Sequence, residues 1–124
     1  MITLLVSLAG GVGAASRFVL DGVITHRTPK APFPLGTVAI NVVGSLVLGV
    51  VVGVTLREQS GIPPEVARIL GVGFCGGFTT FSTSALEAVK LWAEDGPDRA
   101  AAYTLVTVLA SVAAAALGLA FTAG

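Results

Sequence analysis

Charged residues are scarce in this chain. Seven basic and seven acidic residues make up 11% of the 124 residues, and the formal net charge is zero. A soluble domain carries about 25% charged residues and needs them to cover its surface. This scarcity argues strongly against a soluble enzyme. A net charge of zero also provides no basic stripe of the kind that nucleic-acid binding requires.

Cysteine and histidine are scarcer still, with one of each. Cys75 has no intrachain partner for a disulfide, and a single thiol in an apolar run is most simply packing material. His26 has no neighbours in the sequence that indicate a metal site. The sequence therefore favours neither a disulfide framework nor a histidine–cysteine metal centre.

Apolar residues dominate the chain: 54% of the residues are hydrophobic and the mean hydropathy is +0.92. A helix that crosses a bilayer uses about 20 such residues, so four crossings fit the length. We predict an all-α integral membrane protein with one four-helix domain over residues 1–124. The predicted spans cover residues 2–24, 35–56, 69–91 and 100–123, joined by short loops rich in proline, glycine and charge.

Basic residues outside the spans are divided almost evenly between the two sides of the membrane. The loops on one side contain Arg27, Lys30, Lys90 and Arg99, and the loop on the other side contains Arg57 and Arg68. Such a small difference gives a weak orientation signal under the positive-inside rule. We interpret it as compatible with insertion in both directions, and hence with an antiparallel homodimer.

The third apolar run contains Gly76 and Gly77 in its middle. Each glycine weakens a helix by about 1 kcal/mol relative to alanine, and the hydroxyls of Thr79 and Thr80 compete for backbone groups. We predict a third helix that is broken near the bilayer midplane. Carbonyls freed there need protein, ions or water, and discontinuous helices commonly hold a cation with them. The alternative is a kinked helix without an ion.

Two stripes of polar residues run along otherwise apolar spans. Their members are spaced four residues apart and so share one helix face; they are Thr37, Asn41 and Ser45 in the second span, and Tyr103, Thr107 and Ser111 in the fourth. Their amide and hydroxyl groups can solvate an anion without a fixed charge. We interpret the stripes as walls of a narrow aqueous path; hydrogen bonding between helices is the alternative.

Arg17 and two phenylalanines complete the unusual features. A base inside a membrane span indicates function by default, and Arg17 would concentrate anions near a pore entrance; snorkelling to the interface is the alternative. Phe78 and Phe81 follow the glycine pair. Because the edge of a phenyl ring is electropositive, such rings can favour a small anion, although packing is the simpler interpretation of each one alone.

These motifs resemble the Fluc (CrcB-type) fluoride channels over essentially the whole chain. The resemblance is carried by residues 10–14 with Arg17, by residues 36–45, and above all by residues 73–83. It implies a fluoride-selective channel of the prokaryotic inner cell membrane, not an enzyme, that exports cytoplasmic fluoride passively. It also implies an antiparallel dimer with two pores and a structural sodium ion at the subunit interface.

The resemblance further implies residue roles. The backbone carbonyls of Gly76 and Thr79 would bind the sodium ion, two from each subunit. The residues matched to the ion pathway or its entrance are Thr37, Asn41, Phe81, Tyr103, Thr107, Ser111, Arg17 and Glu87. The chain departs from the family at Ser84, where a second pore phenylalanine is usual; a hydroxyl can still donate to fluoride, so Ser84 is kept among the pathway residues.

Two alternatives stay open at this point. A proton-coupled small multidrug-type exporter has a similar size, but it needs a membrane-embedded carboxylate. The first span carries Arg17 instead, and Glu87 lies at the end of the third span. A structural membrane subunit would explain the glycines by packing, but it would leave the polar stripes without a cause.

Overall fold

The computed structural model describes residues 1–31, 33–57 and 61–123, and the regular elements in these ranges are helices. They are α1 (Ile2–Arg27), α2 (Leu35–Thr55), α3 (Pro64–Arg68), a π-helix (Ile69–Cys75), α4 (Gly76–Phe78), α5 (Phe81–Asp95) and α6 (Pro97–Ala123). Four segments are long and apolar enough to cross a membrane: Ile2–Arg27, Leu35–Thr55, Pro64–Asp95 and Pro97–Ala123. The all-α prediction with four spans is confirmed; Gly124, at the end of the predicted domain, lies outside the described residues.

The ends of the helices differ from the predicted limits. α1 continues to Arg27 and stops before Thr28, which precedes a proline and therefore disfavours helical backbone. The third span begins at Pro64 rather than at residue 69, because proline suits the first turn of a helix. Hydropathy marks only the apolar part of a helix, so both segments extend past the predicted limits into more polar sequence.

Gly96 alone separates α5 from α6. Its φ angle of 94° lies in the left-handed region, which residues with side chains rarely adopt. The glycine lets the chain reverse within one residue. α6 then runs back along α5 and packs chiefly against α2.

Glycines let α2 and α6 approach backbone to backbone. A Cβ atom on Gly49 would collide with the carbonyl oxygen of Ala115, and a Cβ on Gly118 would lie 2.6 Å from the carbonyl oxygen of Leu46. Small residues commonly serve this purpose between transmembrane helices. These glycines therefore serve close helix packing, which fixes the polar faces of α2 and α6 relative to each other.

α1 packs against the third span in the same way. A Cβ on Gly13 would collide with the carbonyl oxygen of Phe74, and a Cβ on Gly77 would collide with the carbonyl oxygen of Gly10. Gly77 therefore allows a close helix contact. The pair Gly76–Gly77 is itself helical, within α4.

Two extended residues separate α4 from α5. Thr79 has φ −79° and ψ 157°, and Thr80 has φ −147° and ψ 116°. Their hydroxyls hold the segment on both sides: Thr79 Oγ1 donates to the Cys75 carbonyl at 2.8 Å, and Thr80 Oγ1 accepts the Thr83 N–H at 3.2 Å. Threonine is a favoured N-cap residue. The interruption in helical backbone thus lies at the threonines, after the glycine pair that the sequence singled out.

Candidate ion pathway

Asn41 binds the interruption directly. The side chain is buried in α2, and its Oδ1 accepts the Thr80 N–H at 2.9 Å while its Nδ2 donates to the Thr80 carbonyl at 3.2 Å. One carboxamide thereby satisfies both backbone groups of an extended residue. This matters because a buried backbone group without a partner costs about as much as a lost hydrogen bond.

The carbonyls of Gly76 and Thr79 have lost the amides that a continuous helix would direct at them. In an α-helix the N–H of residue i bonds the carbonyl of residue i−4, so Thr80 would donate to Gly76 and Thr83 to Thr79. Here the Thr80 N–H goes to Asn41 and the Thr83 N–H to Thr80 Oγ1. The two carbonyl oxygens that the resemblance assigns to sodium are thus among those whose helical donors point elsewhere.

The described part of the chain contains no cluster of side chains that commonly bind metals. No group of three or more His, Cys, Asp or Glu residues there could hold a metal ion. The oxygen atoms that the interruption itself offers are backbone carbonyls and the hydroxyls of Thr79 and Thr80. Such ligands suit a hard monovalent ion, as in the unwound helices of transporters.

Arg17 is anchored to the third span. The half-buried side chain donates from Nε to the Gly77 carbonyl at 3.2 Å. It also lines a cavity of about 200 Å³. The other residues of that cavity are Phe18, Asp21, Thr37, Ile40, Thr80 and Thr83. Arg17 thus lies beside the interruption, in a cavity that it shares with the carboxylate of Asp21 and with threonine hydroxyls.

The two polar stripes meet in a larger cavity of about 620 Å³ between α2, α5 and α6. Its polar lining is Asn41, Ser45, Thr79, Thr80, Ser84, Thr104, Thr107 and Ser111. Its apolar lining is Leu48, Phe81, Ala85, Ala88, Val108 and Val112. No charged side chain is among these residues, so the wall offers neutral hydrogen-bond donors and acceptors only.

Ser111 contributes the one buried side-chain oxygen without a hydrogen-bond partner among the described residues. Its neighbour on the stripe, Thr107, donates instead to the Tyr103 carbonyl of its own helix at 2.8 Å. Leaving a buried hydroxyl unsatisfied costs about 1–3 kcal/mol. Ser111 is therefore a residue of the cavity lining whose hydroxyl finds no hydrogen-bond partner within the described part of the chain.

The two phenylalanines of the motif have different environments. Phe78 is buried and stacks on Phe74, with ring centroids 5.6 Å apart. Phe81 lines the large cavity yet is 88% exposed. Packing explains Phe78, whereas the ring of Phe81 projects from the rim of the cavity, away from its own subunit.

Thr37 and Tyr103, the first members of the two stripes, are directed at Glu87. Thr37 Oγ1 donates to Glu87 Oε1 at 3.0 Å, and Tyr103 Oη donates to Glu87 Oε2 at 3.3 Å. Neither residue lines the large cavity. The stripes therefore divide: their later members form the cavity wall, and their first members bind a carboxylate near one end of the bundle.

Glu87 also faces a cavity of about 510 Å³ at that end of the bundle. Asp21 and Asp95 line it as well, and Asp95 lies 3.8 Å from Arg99 in the one ion pair found within the described ranges. The charged residues that line this cavity are thus acidic apart from Arg99. The two cavities therefore differ in charge, since the large cavity has no charged residue in its lining.

Sequence reasoning missed two contributors. Thr104 lines the large cavity, and its spacing with Thr107 and Ser111 (i, i+3, i+7) is a helical-face signal that could have identified it. Thr80 acts through its backbone, as the partner of Asn41. No side-chain pattern indicates a backbone role of that kind.

The chain matches a family model described as CrcB-like protein, Camphor Resistance (CrcB), over residues 4–119. Several relatives carry the name fluoride-specific ion channel FluC. The relative from Leifsonia xyli subsp. xyli is 52% identical over 96% of this chain and 85% of its own length. The relative from Cutibacterium acnes is 45% identical over 97% and 96%, and the one from Novosphingobium aromaticivorans is 42% identical over 98% and 96%.

Proposed function

Because the chain belongs to the CrcB-like family, we propose that it is a fluoride-specific ion channel of the bacterial inner membrane. It is a multi-pass membrane protein, and its role is conduction rather than catalysis. Residues 1–124 act as one four-helix transmembrane domain. Fluoride leaves the cytoplasm through it passively.

The observation that carries this function best is the uncharged lining of the large cavity, in which hydroxyl and amide groups lie among apolar side chains. Fluoride holds its hydration water strongly, so a pore must replace that water with several donors. Ser84, Ser111 and the second N–H of the Asn41 amide offer such donors in the lining, whereas the Thr107 hydroxyl already donates to the Tyr103 carbonyl. Conduction also needs binding weak enough for the ion to leave, and a wall without charged residues meets that condition.

The direction of flow follows from charge and acid–base chemistry. Hydrogen fluoride crosses a membrane as a neutral molecule and dissociates in a near-neutral cytoplasm, where the anion is trapped. A negative-inside potential drives each exported anion by ~2.3 kcal/mol per 100 mV. Arg17 raises the local anion concentration beside the interruption. The lining of the large cavity includes no carboxylate that could couple fluoride flow to protons.

The working form is an antiparallel homodimer. Two observations support it: the basic residues of the loops give almost no orientation bias, and Phe81 projects from the cavity rim with 88% of its surface exposed. A second subunit would cover that ring and close the open side of the cavity. The pathway is then completed at the subunit interface, once for each subunit.

A structural sodium ion joins the two subunits at the interruption of the third span, near the bilayer midplane. The carbonyl oxygens of Gly76 and Thr79 would hold it, because their helical amide donors are engaged elsewhere. Gly76 is exposed on the single chain, as a shared site requires. The ion would supply a fixed positive charge that holds four backbone dipoles together.

Fluoride-loaded liposomes containing the purified protein are expected to release fluoride. A fluoride electrode measures the release, with a potassium ionophore present to balance charge. Chloride-loaded vesicles are the control and should remain silent, because chloride does not fit donors placed for a smaller ion. Release that required a proton gradient would contradict a passive channel and favour the proton-coupled exporter; no release at all would favour a structural subunit.

Replacing sodium with N-methylglucamine on both sides of the membrane is expected to lower fluoride flux and to shift the protein from dimer towards monomer. Both effects follow if the carbonyls of Gly76 and Thr79 repel each other across the interface without a cation. The measurements are electrode-monitored efflux and light scattering in detergent. Equal sodium on both sides should preserve full flux; loss of flux on removing only the gradient would indicate co-transport instead.

A further inference from the structure

We propose that Asn41 is a positioning residue that keeps the Gly76 carbonyl available to a cation. It does so by holding the Thr80 N–H, which would otherwise donate to that carbonyl. This inference concerns the hydrogen bonds of α2 with the third span, and it rests on the proposed function only for the identity of the cation.

The first step is the division of the backbone carbonyls between α4 and α5. Gly77 accepts from Arg17 Nε at 3.2 Å, and Thr80 accepts from Asn41 Nδ2 at 3.2 Å. These two carbonyls are therefore satisfied by side chains of α1 and α2. The carbonyls of Gly76 and Thr79 accept no hydrogen bond from either of these two side chains.

The second step is the competition for the Thr80 amide. In a continuous helix this N–H would bond the Gly76 carbonyl, four residues earlier. Asn41 Oδ1 instead accepts it at 2.9 Å. An N–H donated to the Gly76 carbonyl would compete with a cation for the electron density of that oxygen, and Asn41 removes this competitor.

The third step explains why asparagine suits the position. A carboxamide presents one acceptor and two N–H donors from a single rigid plane, so it can bond both backbone groups of Thr80 at once. A carboxylate of the same size would lose the donor, and a serine would be too short to make both bonds. Asn41 also lines the large cavity, which places the same side chain on the ion pathway and beside the interruption.

The chain offers a selective probe for this contact. Threonine follows threonine only at Thr79–Thr80. Full-length protein labelled with threonine carrying carbon-13 at the carbonyl and nitrogen-15 at the amide therefore gives one signal that links the Thr79 carbonyl to the Thr80 amide. NMR of the protein in lipid nanodiscs then reports both groups, with and without sodium.

The variant Asn41→Ala is expected to move the Thr80 amide signal in sodium-free buffer, because its acceptor is lost. It should also raise the sodium concentration at half-maximal change of the Thr79 carbonyl signal by at least about 10-fold, which corresponds to about 1.4 kcal/mol. Asn41→Ser serves the same purpose if the alanine variant does not fold. The matched control is Thr55→Val, since this hydroxyl of α2 bonds only carbonyls of its own helix.

The outcomes distinguish failure of the role of Asn41 from failure of the proposed sodium site. An unchanged Thr80 amide signal in Asn41→Ala overturns the role of Asn41, as does an unchanged sodium midpoint. A Thr79 carbonyl that ignores sodium in the unsubstituted protein overturns the sodium site of the proposed function, and the cation step of this inference with it. In that case the Thr80 amide signal in Asn41→Ala still tests whether Asn41 bonds the Thr80 backbone at the interruption.

Discussion

Replacing Gly13 with alanine is expected to lower the free energy of unfolding by about 1–3 kcal/mol, the usual cost of overpacking a tight interface. The added Cβ would collide with the carbonyl oxygen of Phe74 and would lie 2.8 Å from the backbone nitrogen of Phe78. Both obstacles are backbone atoms, so no side chain can rotate away. α1 would have to move off the third span. Denaturant unfolding in detergent micelles, followed by circular dichroism, measures the change.

Gly11→Ala is the matched control for this prediction. Gly11 lies on the same helix, and a Cβ there meets nothing within 4 Å. Alanine favours helix over glycine by about 0.5–1 kcal/mol, so this variant should be neutral or more stable. Equal destabilisation by the two substitutions would contradict the packing of α1 on the third span.

Replacing Ser111 with leucine is expected to reduce fluoride flux by about 100-fold, which corresponds to about 2.7 kcal/mol on the barrier to permeation. The substitution fills part of the cavity and removes the hydroxyl that has no partner within the described chain. Ser111→Ala removes only the donor and should lower flux by about 10-fold. Electrode-monitored efflux from liposomes measures both, with circular dichroism as the check on folding.

Ala113→Leu is the control for the cavity. This alanine lies on α6, two residues after Ser111, but it is exposed and is absent from the cavity wall. The same leucine placed there should leave flux unchanged. Normal flux through the Ser111→Leu variant would move the pathway away from this cavity and would remove the main support for the proposed mechanism.

The spans were predictable from sequence because a bilayer demands about 20 apolar residues of each crossing helix. The helix limits were less so: Arg27 and Pro64 lie in polar sequence that hydropathy does not count as membrane. The family was also predictable, because residues 73–83 carry a long motif, and the CrcB-like model matches residues 4–119. The sodium ion and the antiparallel pairing stay predictions.

The polar stripes show where periodicity stops being informative. A spacing of four places residues on one helix face, and Asn41, Thr107 and Ser111 do line one cavity. Thr37 and Tyr103 satisfy the same spacing but bind Glu87. That carboxylate comes from a different helix, and a tertiary contact of this kind is invisible to the pattern within one span.

The third span shows the limit of helix propensity. Gly76 and Gly77 predicted the interruption because glycine weakens helices, yet both are helical. Gly77 is used for close approach to the Gly10 backbone. The extended backbone lies at Thr79 and Thr80, where side-chain hydroxyls and Asn41 replace helical hydrogen bonds. Glycine propensity identified the segment that contains the interruption. The contact with Asn41, which lies far away in the sequence on α2, determined that the extended residues are the threonines.

The glycine contacts also bear on how quickly ions can pass. Gly13, Gly49, Gly77 and Gly118 bring backbones together without intervening side chains, and close-packed interiors have little free volume for sliding. Rocking α1 or α6 would drive neighbouring side chains into carbonyl groups. The helices therefore form a stiff frame, which for the proposed channel favours permeation by ions that hop between donors over a mechanism that rearranges the helices in each cycle.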